Sequence, residues 1–146
     1  VLEFMENKTT YILSAGTTIK KICDLIGVEK TLLGVDVLKN GELIAKDTNE
    51  KQLLKIIENS SDVTIIVSPI GSQGFVFGRG NQQISSKVIK KIGISNIIIL
   101  STPHKLSQTP HLFVDTGDLE LDKKLSGKKR IITSYRMTTL RIIKSP

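Results

Sequence analysis

Ser68-Pro69-Ile70-Gly71-Ser72-Gln73-Gly74-Phe75-Val76-Phe77-Gly78-Arg79-Gly80-Asn81-Gln82-Gln83-Ile84 is the stretch around which the chain is organised. A short β-prone run, Val63 to Val67, precedes it and reads as a buried strand. Apolar Val88, Ile89 and Ile92 follow it at helical spacing. The stretch is therefore a strand-to-helix connection. Its four glycines, Gly71, Gly74, Gly78 and Gly80, supply a backbone that can take positive φ and admit a ligand closely. Gln73, Arg79, Asn81, Gln82 and Gln83 set donors beside that backbone. Such a loop either shapes a long turn, with its amides satisfying the backbone, or cradles an anion. The density of side-chain amides beside one arginine favours the anion, so these nine residues are candidate ligand contacts.

Outward from this loop the chain alternates strand and helix. Thr10 to Leu13 is a β-prone run, Ser14 to Thr18 a small-residue turn, and Ile19, Ile22, Cys23 and Ile26 lie at helical spacing before Gly27. The free amides of that helix's first turn, with Gly16, Thr17 and Thr18, could hold a phosphate or carboxylate, or Thr17 could serve only as a cap. Leu32 to Leu38 and Glu42 to Lys46 read as strands about Asn40-Gly41, a hairpin signal. Asp47 to Glu50 resembles a capping box before Leu53, Leu54, Ile56 and Ile57. Asp36 falls inside an apolar run, where an unpaired carboxylate is costly. It is read as a buried ion pair, a water-facing hairpin position or a partner for a ligand hydroxyl.

Beyond the glycine loop, Ser85 or Ser86 can cap a helix ending at Gly93, and Asn96 to Leu100 reads as a further strand. Three crossover units predict a mainly parallel twisted sheet with strands over 10 to 13, 32 to 38, 63 to 67 and 97 to 100. Helices are predicted over 17 to 26, 49 to 58 and 85 to 92, with one inserted β-hairpin. The loops at Ser14 to Thr18, Ser68 to Asn81 and Ser101 to His104 all follow strands and should open on one edge, the edge where such sheets collect ligands. Asp115-Thr116-Gly117-Asp118 is either an Asx-type turn or a carboxylate pair contacting magnesium or a ribose. Arg130 to Ser134 and Thr138 to Ile143 should pair antiparallel about residues 135 to 137. His104 and His111 read as loop residues, and no ligand spacing supports a zinc site.

The 146 residues fit one α/β domain. No apolar run approaches a membrane span and no signal peptide is visible, so a soluble cytoplasmic chain without membrane contact is expected. The lone Cys23 reads as a small core residue. The first residue is Val1, and Leu2 to Glu6 resemble the tail of a helix begun earlier, so the chain is expected to be the C-terminal portion of a longer protein. Of the net charge of +7, a local balance of +6 falls between Leu119 and Pro146. With few aromatics and no Trp, a solvated basic face is favoured over a nucleic-acid groove. Homo-oligomerisation stays open.

Together, Gly16-Thr17-Thr18 before a helix, Leu32-Leu33-Gly34-Val35-Asp36-Val37, the Pro69 to Ser85 motif and Val114-Asp115-Thr116-Gly117-Asp118 resemble the C-terminal part of the prokaryotic ATP-NAD kinase-like proteins. The likeness extends over nearly the whole chain. It departs at Ser14-Ala15-Gly16, where glycine-proline-glycine is expected, and at Ser72, where another glycine is. The resemblance implies a parent reaction that phosphorylates NAD at the 2′-hydroxyl of its adenosine ribose, with ATP or NAD and magnesium as cofactors. It also implies an upstream kinase-like domain of the same protein carrying the catalytic Gly-Gly-Asp-Gly loop. No Gly-Gly-Asp-Gly occurs here, so the chain is expected to supply nucleotide or phosphate contacts without being competent alone. A stand-alone module binding a phosphosugar or nucleotide for regulation is the alternative.

Overall fold

The computed structural model describes residues 8–71, 73–78, 80–134 and 137–145. The expected helix tail at Leu2 to Glu6, the Tyr135-Arg136 part of the last turn, and Arg79 lie outside the described residues. One sheet has the order β3-β2-β1-β4-β6. These strands are β1 (Thr10–Leu13), β2 (Asp36–Lys39), β3 (Glu42–Ala45), β4 (Val63–Val67) and β6 (Ile97–Ile99). Pairings β1 to β4 and β4 to β6 are parallel, while β2 and β3 form the expected antiparallel hairpin beside β1. Asn40 (φ 54°) and Gly41 (φ 77°) carry the paired positive φ that a two-residue hairpin turn demands.

Alternation along the strands builds two apolar layers. Tyr11, Leu13 and Ile66 meet Ile19 and Cys23 of α1 (Thr17–Leu25) on one face. On the other face Ile12, Ile65 and Val67 pack with Leu53 of α2 (Glu50–Glu58) and with Val88, Ile89 and Ile92 of α3 (Ser86–Ile92). Cys23 is wholly buried, and burial pushes its thiol up, as befits a core residue. Asn49 accepts from the Gln52 amide while Gln52 returns a bond to the Asn49 amide, so the capping box starts at Asn49.

A second sheet, of order β5-β7-β9-β8, closes the second layer. Its strands are β5 (Phe75–Phe77), β7 (His111–Val114), β8 (Gly127–Ser134) and β9 (Met137–Lys144). The expected antiparallel C-terminal strands are β8 and β9. Val76, Phe77, Leu112, Val114, Ile131 and Ile143 join the core cluster of Ile12 and Ile65. Among the described residues the sheets are joined by backbone where Leu100 bridges Ile132 in parallel and the Ser101 amide donates to Ile132 O at 3.0 Å.

Two further helices, α4 (Pro103–Gln108) and α5 (Leu119–Leu125), lie where no helix was expected. Thr102 caps the first, with Pro103 in its first turn, and Asp118 caps the second. His104 is therefore helical and His111 opens a strand, which corrects their reading as loop residues. The strand expected over Leu32 to Leu38 is also shorter: β2 begins only at Asp36, and Leu32 and Leu33 are exposed. The preceding residues wrap around the Asp36 carboxylate and cannot join the ladder.

Candidate functional site

Because β1, β4 and β6 are parallel neighbours, their carboxyl ends share one edge. The Ser14 amide donates to Ile66 O (3.0 Å) and the Leu100 amide to Val67 O (2.8 Å), which sets Ser14, Ser68 and Ser101 side by side. Gly16 (φ 125°) precedes α1 with no side-chain cap, whereas Asn49, Ser85, Thr102 and Asp118 each cap their helix. The first amides of α1 are thus left to another acceptor, with exposed Thr17 and half-buried Thr18 beside them. Asp36 comes to the same edge, since β2 is antiparallel and Asp36 pairs with Leu13.

The Asp36 carboxylate does not face water, which corrects that one of its expected readings. It is fully buried and accepts from the Thr31 amide (2.7 Å), the Thr31 hydroxyl (2.7 Å) and the Asp47 amide (2.8 Å). Buried Lys30 donates to Thr31 O and Gly34 O, both at 2.9 Å. Burial pulls the Lys30 ammonium down, and the Asp36 charge pushes it back up. The Asp36 cradle is built largely from the chain's own amides.

The glycine stretch does not run as one open loop. Ile70 and Phe75 exchange both backbone bonds, and β5 then pairs in parallel with β7. Gly71, Gly74, Gly78 and Gly80 all take positive φ. At Gly78 the reason is contact as well as conformation: a Cβ there would lie 2.0 Å from the carbonyl oxygen of Asp115. The chain folds back after Gly78, so that Gly80 rests against Ile70 and the Asn81 amide nitrogen donates to Val76 O (2.8 Å). Asn81 is fully buried, with its Oδ1 left without a partner. Gln73 and Gln82 are exposed and Gln83 half-buried, and no side-chain hydrogen bond engages them among the described residues.

Strand direction divides the candidate residues. β8 runs with β6 at the bridge, β9 against β8, and β7 and β5 with β9. The carboxyl ends of β5 and β7 therefore point away from the edge that holds Ser14, Ser68 and Ser101. Gly16 to Thr18, Asp36 and the opening of the glycine stretch share that edge, while Gly78 and Asp115 to Asp118 meet at the far end of β5 and β7. This corrects the expectation that the whole stretch from Ser68 to Asn81 opens on one edge. The inserted strand β5 is the cause.

At that far end the Thr116 hydroxyl donates to buried Asp122 (2.6 Å), and the Thr116 amide reaches the same oxygen (3.0 Å). Asp118 accepts from the Leu121 amide (3.1 Å) and pairs with Lys90. The Lys90 contact, helped by the Leu121 amide, holds the Asp118 carboxyl below its usual range, and the same contact holds the Lys90 ammonium up. Asp115 is exposed. Among the described residues no three His, Cys, Asp or Glu side chains come together to hold a metal.

A depressed carboxyl stabilises the fold above its unfolded pKa, and the contribution is lost as pH falls through the folded value. Asp118→Asn keeps a capping side chain but removes the pair's charge. The melting temperature of this variant should fall below wild type near neutral pH and converge with it in acid. Parallel melts from neutral to acidic pH check this, and a gap that stays constant would contradict it.

No helix among the described residues is long and apolar enough to cross a membrane. Comparison with curated proteins and with solved structures gave no match. The model of the ATP-NAD kinase C-terminal domain matches residues 6–144, nearly the whole chain and every segment assembled above. The chain belongs to the ATP-NAD kinase C-terminal domain family.

Proposed function

We propose that the chain is the nucleotide- or phosphate-contacting domain of a kinase-like protein whose reaction is phosphorylation of NAD at the adenosine ribose 2′-hydroxyl. We further propose that it is not competent for that reaction by itself. The observation that carries the reading is the family match together with the contact between Gly78 and Asp115, which ties the glycine stretch to the Val114-Asp115-Thr116-Gly117-Asp118 segment. The uncapped start of α1, the free amides of Gln73, Gln82 and Gln83, and Arg79 supply the donors that an anion needs. ATP or NAD is the ligand class, with magnesium held mainly by the nucleotide phosphates and by groups outside this chain.

Phosphoryl transfer rests on positioned phosphates, charge neutralisation and a residue that orients the attacking hydroxyl. The residues gathered here offer anion contacts but no Gly-Gly-Asp-Gly loop. Purified chain incubated with NAD, magnesium and either ATP or polyphosphate should therefore form no NADP. NADP formation that survives rigorous purification would show that the chain carries the whole reaction.

A further inference from the structure

The two sheets touch at Leu100 and Ile132 and separate on the amino-terminal side of that bridge. A cavity of about 180 Å³ lies there, between the unpaired edges of β6 and β8. Ile97 and Ile99 line one side, Phe77 and Val114 the floor, and Lys129 and Arg130 of β8 the other side. The remaining walls are aliphatic. A dry cavity of about 150 Å³ is enough to take a benzene-sized hydrocarbon, so the space suits a compact apolar body.

Among the described residues no ion pair compensates the charge at its mouth. Lys129 lies directly opposite Arg141 in the β8 to β9 register, a like-charge cross-strand pair of the kind that destabilises a sheet. Arg141 has a buried Nε with no hydrogen-bond partner, and its Nη1 donates only to Leu140 O. The ion pairs among the described residues are Lys20 with Asp24, Lys90 with Asp118 and Lys91 with Glu58, so none reaches Lys129, Arg130 or Arg141. Apolar walls and a cationic rim, with the orphaned guanidinium N–H of Arg141 behind the rim as the cross-strand neighbour of Lys129, together call for an amphipathic anion.

We propose that this cleft binds an apolar organic monocarboxylate, either a compact aryl acid or a short-chain fatty acid. Its hydrocarbon would lie against Ile97, Ile99 and Val114 and its carboxylate at Lys129 and Arg141. A nucleobase fits less well, because the aliphatic walls offer no partners for its polar edge, which would be buried unsatisfied. Gly78 and Asp115 follow the lining residues Phe77 and Val114 in the chain but do not themselves line the cleft.

Benzoate and hexanoate, with benzyl alcohol and 1-hexanol as uncharged counterparts and ATP as the nucleotide, can be titrated into the chain by ligand-observed NMR. Both acids, or one of them, should bind saturably at about millimolar concentration or tighter, and the alcohols about tenfold more weakly or not at all. Which acid binds separates the aryl from the aliphatic source. Lys129→Glu should weaken the acid by about tenfold or more, and it should also raise the melting temperature, because it turns a like-charge pair into an ion pair. Ile97→Trp, at a half-buried edge position, should block the cavity; if that variant misfolds, Lys129→Glu alone decides. Absence of saturable acid binding, alcohols binding as tightly as acids, Lys129→Glu binding like wild type, or ATP displacing the acid at lower concentration would each overturn the proposal.

Discussion

Gly78→Ala is expected to cost about 3 kcal/mol or more of stability, near the upper end of single substitutions. Two penalties act together. The residue sits at φ 104°, outside the regions open to L side chains. Its new Cβ would meet backbone, the Asp115 carbonyl oxygen at 2.0 Å, which cannot swing aside as a flexible side chain would. Relief requires β5 and β7 to part, and Asp115 is itself tied there by its amide, which donates to Phe77 O at 3.1 Å. Gly71→Ala is the control: it also has positive φ (75°), but nothing lies within 4 Å of its added Cβ, so a loss of about 1 kcal/mol is expected. Urea denaturation of both variants checks the difference. Equal losses would mean that the Gly78 to Asp115 approach does not hold the loop.

Asp36→Ala should cost about 3 to 5 kcal/mol, the scale for breaking a buried charged network by removing one partner. The carboxylate satisfies the amides of Thr31 and Asp47, and it is the charge that favours the ammonium of buried Lys30. Without it those part-buried donors lose their acceptor, and the Lys30 pKa falls further. Asp36→Asn, which can still accept from one amide but adds a donor and loses the charge, should lie between wild type and alanine. Denaturant midpoints give the order, and a loss below about 1 kcal/mol for alanine would show that the loop before β2 holds itself.

What the sequence made legible follows from periodicity. The β1, β4 and β6 strands and the helices α1, α2 and α3 all lie where apolar spacing placed them, and Asn40-Gly41 marked the hairpin because paired positive φ has few sequence solutions. The second sheet was half visible. β8 and β9 were legible as a pair, but Phe75-Val76-Phe77, three residues between glycines, reads as loop until β7 is there to pair with it. Thr102-Pro103 and Asp118 with Leu121 and Leu125 are helix signals for α4 and α5, the second short and set at the start of the basic C-terminal stretch. Leu32 to Val35 misled in the other direction, since its apolar residues match a strand while Asp36 draws the chain into a cradle. The candidate site was legible as segments but not as an arrangement, because the direction of β5 and β7 is a tertiary fact. No periodicity encodes it.

The most direct test of the central claim, that the glycine stretch contacts a phosphorylated ligand, is calorimetric titration of ATP, NAD and a phosphosugar into wild type and Arg79→Ala. Arginine alone offers a planar fork to two phosphate oxygens, so its loss should weaken binding by about 1.5 to 3 kcal/mol. The melting temperature should stay within a few degrees. Tighter binding of ATP or NAD than of the phosphosugar is expected of the kinase-like reading. Unchanged affinity for every ligand in Arg79→Ala, or no binding by folded wild type, would contradict it and leave the glycines with a purely structural role.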